Sequence, residues 1–162
     1  MRPSERPQNS GFTLVELVII LVILGIIGGM AVGRFSDLDS FHARGFFDET
    51  LGALRYAQKL AVATGCEVQV QLQSTPPAGF ALYQRSVGCA SGAFSLPVIH
   101  SAKGAPFAAQ APAGIPFSAT EPSLVFDAMG RALLPSGAST ATLSMGAFTA
   151  EIVSESGLVR AL

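Results

Sequence analysis

Residues 17–33 carry no charge, and no other stretch constrains the fold as strongly. These seventeen residues fall just short of spanning a hydrocarbon core, and adding residues 12–15 reaches that length. A chain with such a run is inserted in a membrane or carries a cleaved export signal. Ahead of it, residues 1–11 (MRPSERPQNSG) are polar, hold Pro3 and Pro7 and have no folding pattern. They read as a cytoplasmic leader, because Arg2 and Arg6 before the apolar run fit the positive flank found on the cytoplasmic side of a span. The rest of the protein then lies outside the cytoplasm. The competing reading is an ordinary secretory signal, cut after Ala31 in Gly29-Met30-Ala31. Against it, Glu16 interrupts the apolar core such a signal needs, and an amphipathic helix follows without a break.

No proline occurs between Pro7 and Pro76, and nothing breaks a helix decisively from residue 12 until Gly65. A continuous helix over 12–64 would be roughly 80 Å long at 1.5 Å per residue. Its second half is amphipathic. Asp37, Arg44, Asp48, Arg55 and Lys59 fall within about a 60° arc. Ala43, Phe46, Phe47, Thr50, Leu54, Ala57 and Ala61 gather opposite, with Leu51 at the polar margin. One half of the helix suits lipid or a filament core, and the other suits packing on a sheet.

After Gly65 the hydrophobic period changes to two. Val68, Val70 and Leu72 alternate with Gln69, Gln71 and Gln73, the pattern of a half-buried strand. Pro76, Pro77 and Gly79 form a turn, and residues 80–85 return as the second strand of a hairpin. Residues 86–118 are rich in Gly, Ala, Ser and Pro, with a weak strand at 94–99. Residues 124–127 form a strand entering a turn at 128–131, and residues 141–145, 148–154 and 158–160 complete an antiparallel set. The expected fold is α+β, one long helix packed on a meandering antiparallel sheet. Its parts are a leader (1–11), a membrane or filament-core helix (12–34), the amphipathic half of the same helix (35–65) and a periplasmic β-rich domain (66–162).

Charge and cysteine usage narrow the function. Only 13% of the 162 residues are charged against 49% hydrophobic. Beyond residue 65 the basic residues are Arg85, Lys103, Arg131 and Arg160, against Glu67, Glu121, Asp127, Glu151 and Glu155. That balance leaves no basic patch, so nucleic acid is not an expected partner. Cys66 and Cys89 have no zinc spacing, and in an exported domain they read as a disulfide; two separate buried thiols are the alternative. His42 and His100 stand alone. No nucleophile elbow, phosphate loop, carboxylate pair or metal cluster appears, so neither an enzyme nor a cofactor is expected.

Glu16 is the odd residue, because a carboxylate near the start of a spanning helix is costly without a partner or a task. If the chain were cut after Gly11, Phe12 would carry a free amine four residues from Glu16, on the same helix face. Between staggered helices, Glu16 would neutralise the amine of the next subunit and set the axial register. Gly25, Gly29 and Gly33 form two overlapping GxxxG spacings. They suit close helix approach, or equally small residues that let the helix stretch during assembly.

The run GFTLVEL at 11–17, followed by VIILVILGIIGGMAVGRF, resembles the prepilin signature of type IV pilins and type II secretion pseudopilins. The resemblance implies a prepilin peptidase that cuts between Gly11 and Phe12 and N-methylates Phe12. It also implies Glu16 as the glutamate used in subunit addition. Gly33 stands where many major pilins carry a proline, and loosens a helix by about 1 kcal/mol relative to alanine. The segment FHARGFFDETLGALRYAQKLAVATGCEVQV at 41–70, with FDAMGRAL and EIVSESGLVRAL, resembles the GspH/FimT-like minor pseudopilins and the minor pilin of the mannose-sensitive haemagglutinin system. The resemblance is absent over 86–118. It implies a minor subunit that primes or caps a pilus or pseudopilus. The implied partners are other pilin subunits, the inner membrane and its assembly platform. DNA binding in natural transformation, known for some relatives, is the alternative and would need a basic cluster on the C-terminal domain.

Overall fold

The computed structural model describes residues 13–31, 38–89 and 91–162. They fall into two compact units, Met1–Leu38 and Asp39–Leu162. Helix α1 (Leu14–Ala31) belongs to the first. In the second, helix α2 (Leu38–Thr64) leads into ten strands. Whether α1 and α2 are continuous rests on residues 32–37, which lie outside the described residues.

Helix α2 stops where the sequence predicts, because Gly65 adopts a left-handed conformation (φ 68°). This is the usual geometry just past a helix end. The alternating run becomes β1 (Val68–Gln73), paired antiparallel with β2 (Gly79–Val87). The other side of β1 pairs with β6 (Ser123–Phe126), which continues to β7 (Ala132–Leu133). The outer edge of β2 is shared by β3 (Ser91–Pro97) and β4 (Ala108–Gln110). A second sheet runs β10 (Val159–Ala161), β9 (Phe148–Val153), β8 (Thr140–Met145), β5 (Phe117–Ala119). The expected α+β class holds, with the sheet divided in two.

The division explains one departure on the helix. Leu51, placed at the polar margin by periodicity, is buried, and so is Ala53 on the opposite flank. The buried stripe therefore spans about 160° at 100° per residue, wider than one sheet requires. Phe46 packs between the sheets, 5.8 Å from the Phe80 ring of β2 and 6.0 Å from the Phe117 ring of β5. Phe47, one position on, turns towards Phe148 of β9 at 5.6 Å. Leu51 lies on the Phe47 side of the wheel and Ala53 on the Phe46 side, so the two widen the buried stripe at its opposite margins. Leu54, Ala57 and Ala61 fill the middle and are fully buried. Arg44, Asp48, Arg55 and Lys59 remain exposed, as the pattern predicts.

Polar side chains fix the helix along its length. Arg55 donates to the Val159 carbonyl at 3.1 Å. The Gln58 amide donates to the carbonyls of Gly130 (2.9 Å) and Ser156 (3.0 Å). Gly157 has φ 63°, and a Cβ there would run into the Gly130 carbonyl. These bonds bring the helix, the β6–β7 turn and the β9–β10 turn together.

Cys66 and Cys89 form a disulfide that ties the start of the sheet to the β2–β3 turn. Beside it, the Glu67 N–H donates to the Cys89 carbonyl at 3.0 Å. Arg85 pairs with Glu67 at 2.5 Å, donates to the Gly92 carbonyl and stacks 4.3 Å over Phe94. By loop entropy, the Cys66→Ala/Cys89→Ala variant should lose roughly 3 kcal/mol. Urea unfolding of the full chain, oxidised against the double variant, measures this, and an unchanged midpoint would contradict it.

Candidate functional site

The candidate site is α1 and its N-terminal end. Thr13 precedes the helix and accepts a hydrogen bond through Oγ1 from the Glu16 N–H at 3.2 Å. The Leu17 N–H bonds to the Thr13 carbonyl at 3.2 Å. Thr13 and Glu16 have the spacing of a capping box, and an acid in the first turn opposes the positive end of the helix dipole. The sequence reading gave Glu16 only an assembly role. The Thr-x-x-Glu spacing was present there and signals this capping role too.

The rest of α1 is apolar on every side. Its described large hydrophobic side chains range from 43% exposed at Ile20 to 80% at Leu14, so every face of the helix itself is apolar and open. A helix apolar all round belongs in a membrane or in a packed interior. Among the described residues no helix is long and apolar enough to cross a membrane. At 1.5 Å per residue, α1 as described is about 27 Å long. Gly25 and Gly29 lie four residues apart, and nothing comes within 4 Å of where a Cβ would sit on either. They present bare backbone to whatever packs there. Gly11, Phe12 and Gly33, the remaining predicted site residues, lie outside the described residues.

The second unit places its titratable groups in structural roles. His100 packs 4.6 Å from Phe107, and its Nδ1 accepts the Ala102 N–H. His42 is exposed on α2. Among the described residues no three His, Cys, Asp or Glu side chains converge as a metal site requires. Asp127 organises the β6–β7 turn predicted from the sequence. Its Oδ1 accepts the N–H groups of Met129 and Arg131, both at 2.9 Å, and its Oδ2 meets the Arg131 guanidinium at 2.7 Å. Burial alone would raise this carboxyl. The Arg131 side chain, the two backbone N–H donors and the Arg131 charge outweigh it, so the pKa lies below the ordinary aspartate range. A depressed carboxyl stabilises the fold above its unfolded pKa, near 4, and that contribution disappears as pH falls through the folded value. Thermal midpoints at pH 5 and pH 3 should therefore drop further in the wild type than in Asp127→Asn; equal drops would contradict this.

A family model of the prokaryotic N-terminal methylation motif matches residues 6–32, the segment containing Glu16 and all of α1. The type IV narrow pilus major component PilA5 of Thermus thermophilus is 39% identical over 74 residues. Over this N-terminal part the chain is similar to type IV pilins. The PilA5 match covers 44% of this chain and 64% of the relative. The type IV major pilin PilA of Myxococcus xanthus is 38% identical over 53 residues, 33% of this chain and 24% of that protein. The pilin matches thus span less than two thirds of either relative. In structure, the Pseudomonas aeruginosa type IV minor pilin FimU superposes with a TM-score of 0.52 at 13% identity, covering 76% of this chain and 91% of FimU. The minor pseudopilin EpsH from the Vibrio cholerae type 2 secretion system gives 0.52 at 14% identity, covering 76% and 94%. These two likenesses show a type IV pilin fold. Pilins and pseudopilins are structural subunits and not enzymes.

Proposed function

We propose that the chain is a minor pilin or pseudopilin that primes or caps a type IV pilus or type II secretion pseudopilus. The observation that carries this reading is α1, an apolar helix exposed on all sides with one acid in its first turn. FimU and EpsH support the minor class, since each is a minor subunit and is covered over more than 90% of its length.

In this reading a prepilin peptidase removes residues 1–11 and methylates Phe12. Residues 12–34, α1 with its flanks, would then be about 34 Å long as a helix, enough for a hydrocarbon core of about 30 Å. The helix waits in the bacterial inner membrane with Asp39–Leu162 in the periplasm. The assembly platform then extracts it into a bundle of neighbouring pilin helices. That exchange replaces lipid with other apolar side chains, so little hydrophobic burial is lost. Gly25, Gly29 and Gly33 let neighbouring backbones approach closely.

A DNA-binding role finds no support in the charge arrangement. All four basic residues beyond residue 65 are paired with carboxylates: Arg85 with Glu67, Lys103 with Glu49, Arg131 with Asp127 and Arg160 with Glu151. Mass spectrometry of the mature protein tests the processing step. The expected chain begins with N-methylated Phe12; one beginning at Val32 would overturn the reading in favour of a secretory signal.

A further inference from the structure

The outward face of the first sheet carries a trough of about 1070 Å³, formed over β1, β2 and β4. We propose that it binds a neutral oligosaccharide. Its floor follows from strand register. Gln71 lies opposite Ala81 on one side and Ser123 on the other, and Ala81 lies opposite Ala108. Small residues thus flank the central glutamine and leave depth for a ring. Gln69, Gln71 and Gln73 stand along β1 about 7 Å apart, the repeat of alternate strand residues. The Gln71 amide donates to the Gln69 carbonyl oxygen at 3.1 Å, which fixes the pair's orientation. Tyr83, opposite Gln69, stands at one end of the row.

The chemistry of the lining selects the occupant. It contains no Asp, Glu, Lys, Arg or His. A charged ligand would leave water there without a counter-charge, so an uncharged one fits. The glutamines each offer a donor and an acceptor, as paired hydroxyls require. The tyrosine ring offers a face to the C–H side of a sugar. An extended polypeptide fits less well, because peptide capture by a sheet uses an open strand edge. Among the described strands, β1 and β2 under the trough are paired on both sides, and at its rim the three-residue β4 has a side that no strand pairs. The volume lies at the upper end of the range for small-molecule sites, room for a few sugar rings.

The test uses the full chain in phosphocholine micelles, which carry no sugar headgroup. Chitotriose, cellotriose and maltotriose are titrated by calorimetry, with amide chemical shifts recorded in parallel. At least one should bind saturably, independently of added salt, with shifts confined to residues 69–83, 108–110 and 119–123. Gln71→Ala should weaken binding roughly tenfold. Gln71→Glu, a substitution at an exposed position that places a charge in the trough, should abolish it. The proposal is overturned if no trisaccharide binds saturably or if Gln71→Glu binds as the wild type does. It is equally overturned if a neutral extended peptide shifts these amides while the sugars do not.

Discussion

Phe47→Ala should destabilise the second unit by about 3–5 kcal/mol, the cost of removing a fully buried aromatic side chain from a packed core. Phe47 is 1% exposed and packs against the second sheet next to Phe46, whose ring touches both sheets. Phe46 and Phe47 are adjacent in sequence, so they diverge by about 100° around the helix. Phe46 engages Phe80 in the first sheet and Phe117 in the second, and Phe47 engages Phe148 in the second. Deleting Phe47 opens a cavity that neither sheet can close alone, since α2 is held in place by Arg55 and Gln58 further along. With no tryptophan in the chain, fluorescence of Tyr56 and Tyr83 during urea unfolding reports the transition. Phe41→Ala on the same helix is the control. Its side chain is 72% exposed, and its replacement should change stability by no more than about 0.5 kcal/mol. Similar losses for both variants would contradict the two-sheet packing of α2.

The elements legible in the sequence are those whose pattern is long enough to show a period. Helix α2 repeats its apolar side over many turns, and β1 alternates for six residues between Val68 and Gln73. Strands β8 and β9, six residues each, follow the same rule, and the three-residue β10 lies close to its expected place after them. Three strands escaped notice. Strands β4 and β5 are three residues long and β7 is two, too short for alternation to appear. They exist because neighbours pair with them, as Ala108–Gln110 does with β2. Strand β3 begins at Ser91, earlier than the stretch around Phe94 suggested, because its pairing with β2 extends to Val87. The division into two sheets is a matter of long-range pairing and left no local trace. Its one indirect sign was the width of the apolar arc of α2, which Leu51 and Ala53 extend.

The candidate site was legible for a different reason. Glu16 is a single carboxylate in an otherwise uncharged run, and a misplaced charge is easier to see than a missing one. The helix-capping bond from Thr13 and the complete exposure of α1 then gave it a physical setting. The trough on the first sheet was half visible. The alternation put Gln69, Gln71 and Gln73 on one face, but the small residues that deepen it come from β2, β4 and β6, which only pairing brings beside them.

Glu16→Ala carries the largest expected effect on function. In a helix bundle the carboxylate sits in a low-dielectric interior, where each charge needs its counterpart. In the proposed assembly, removing Glu16 would leave the Phe12 amine of the neighbouring subunit buried and unpaired. Breaking a buried pair in that way costs about 3–5 kcal/mol, or roughly 10²–10³-fold in an equilibrium. The apolar surface of α1 is unchanged by the substitution, so membrane insertion should persist. Leader removal should persist too, since Gly11 and Phe12 are intact. The decisive measurement is the amount of subunit in filaments sheared from cells, relative to the amount in membranes, for wild type and Glu16→Ala chains that both begin at methylated Phe12. A fall to background in the filament fraction, with the membrane pool retained, is the predicted result; normal entry of Glu16→Ala into filaments would contradict the account.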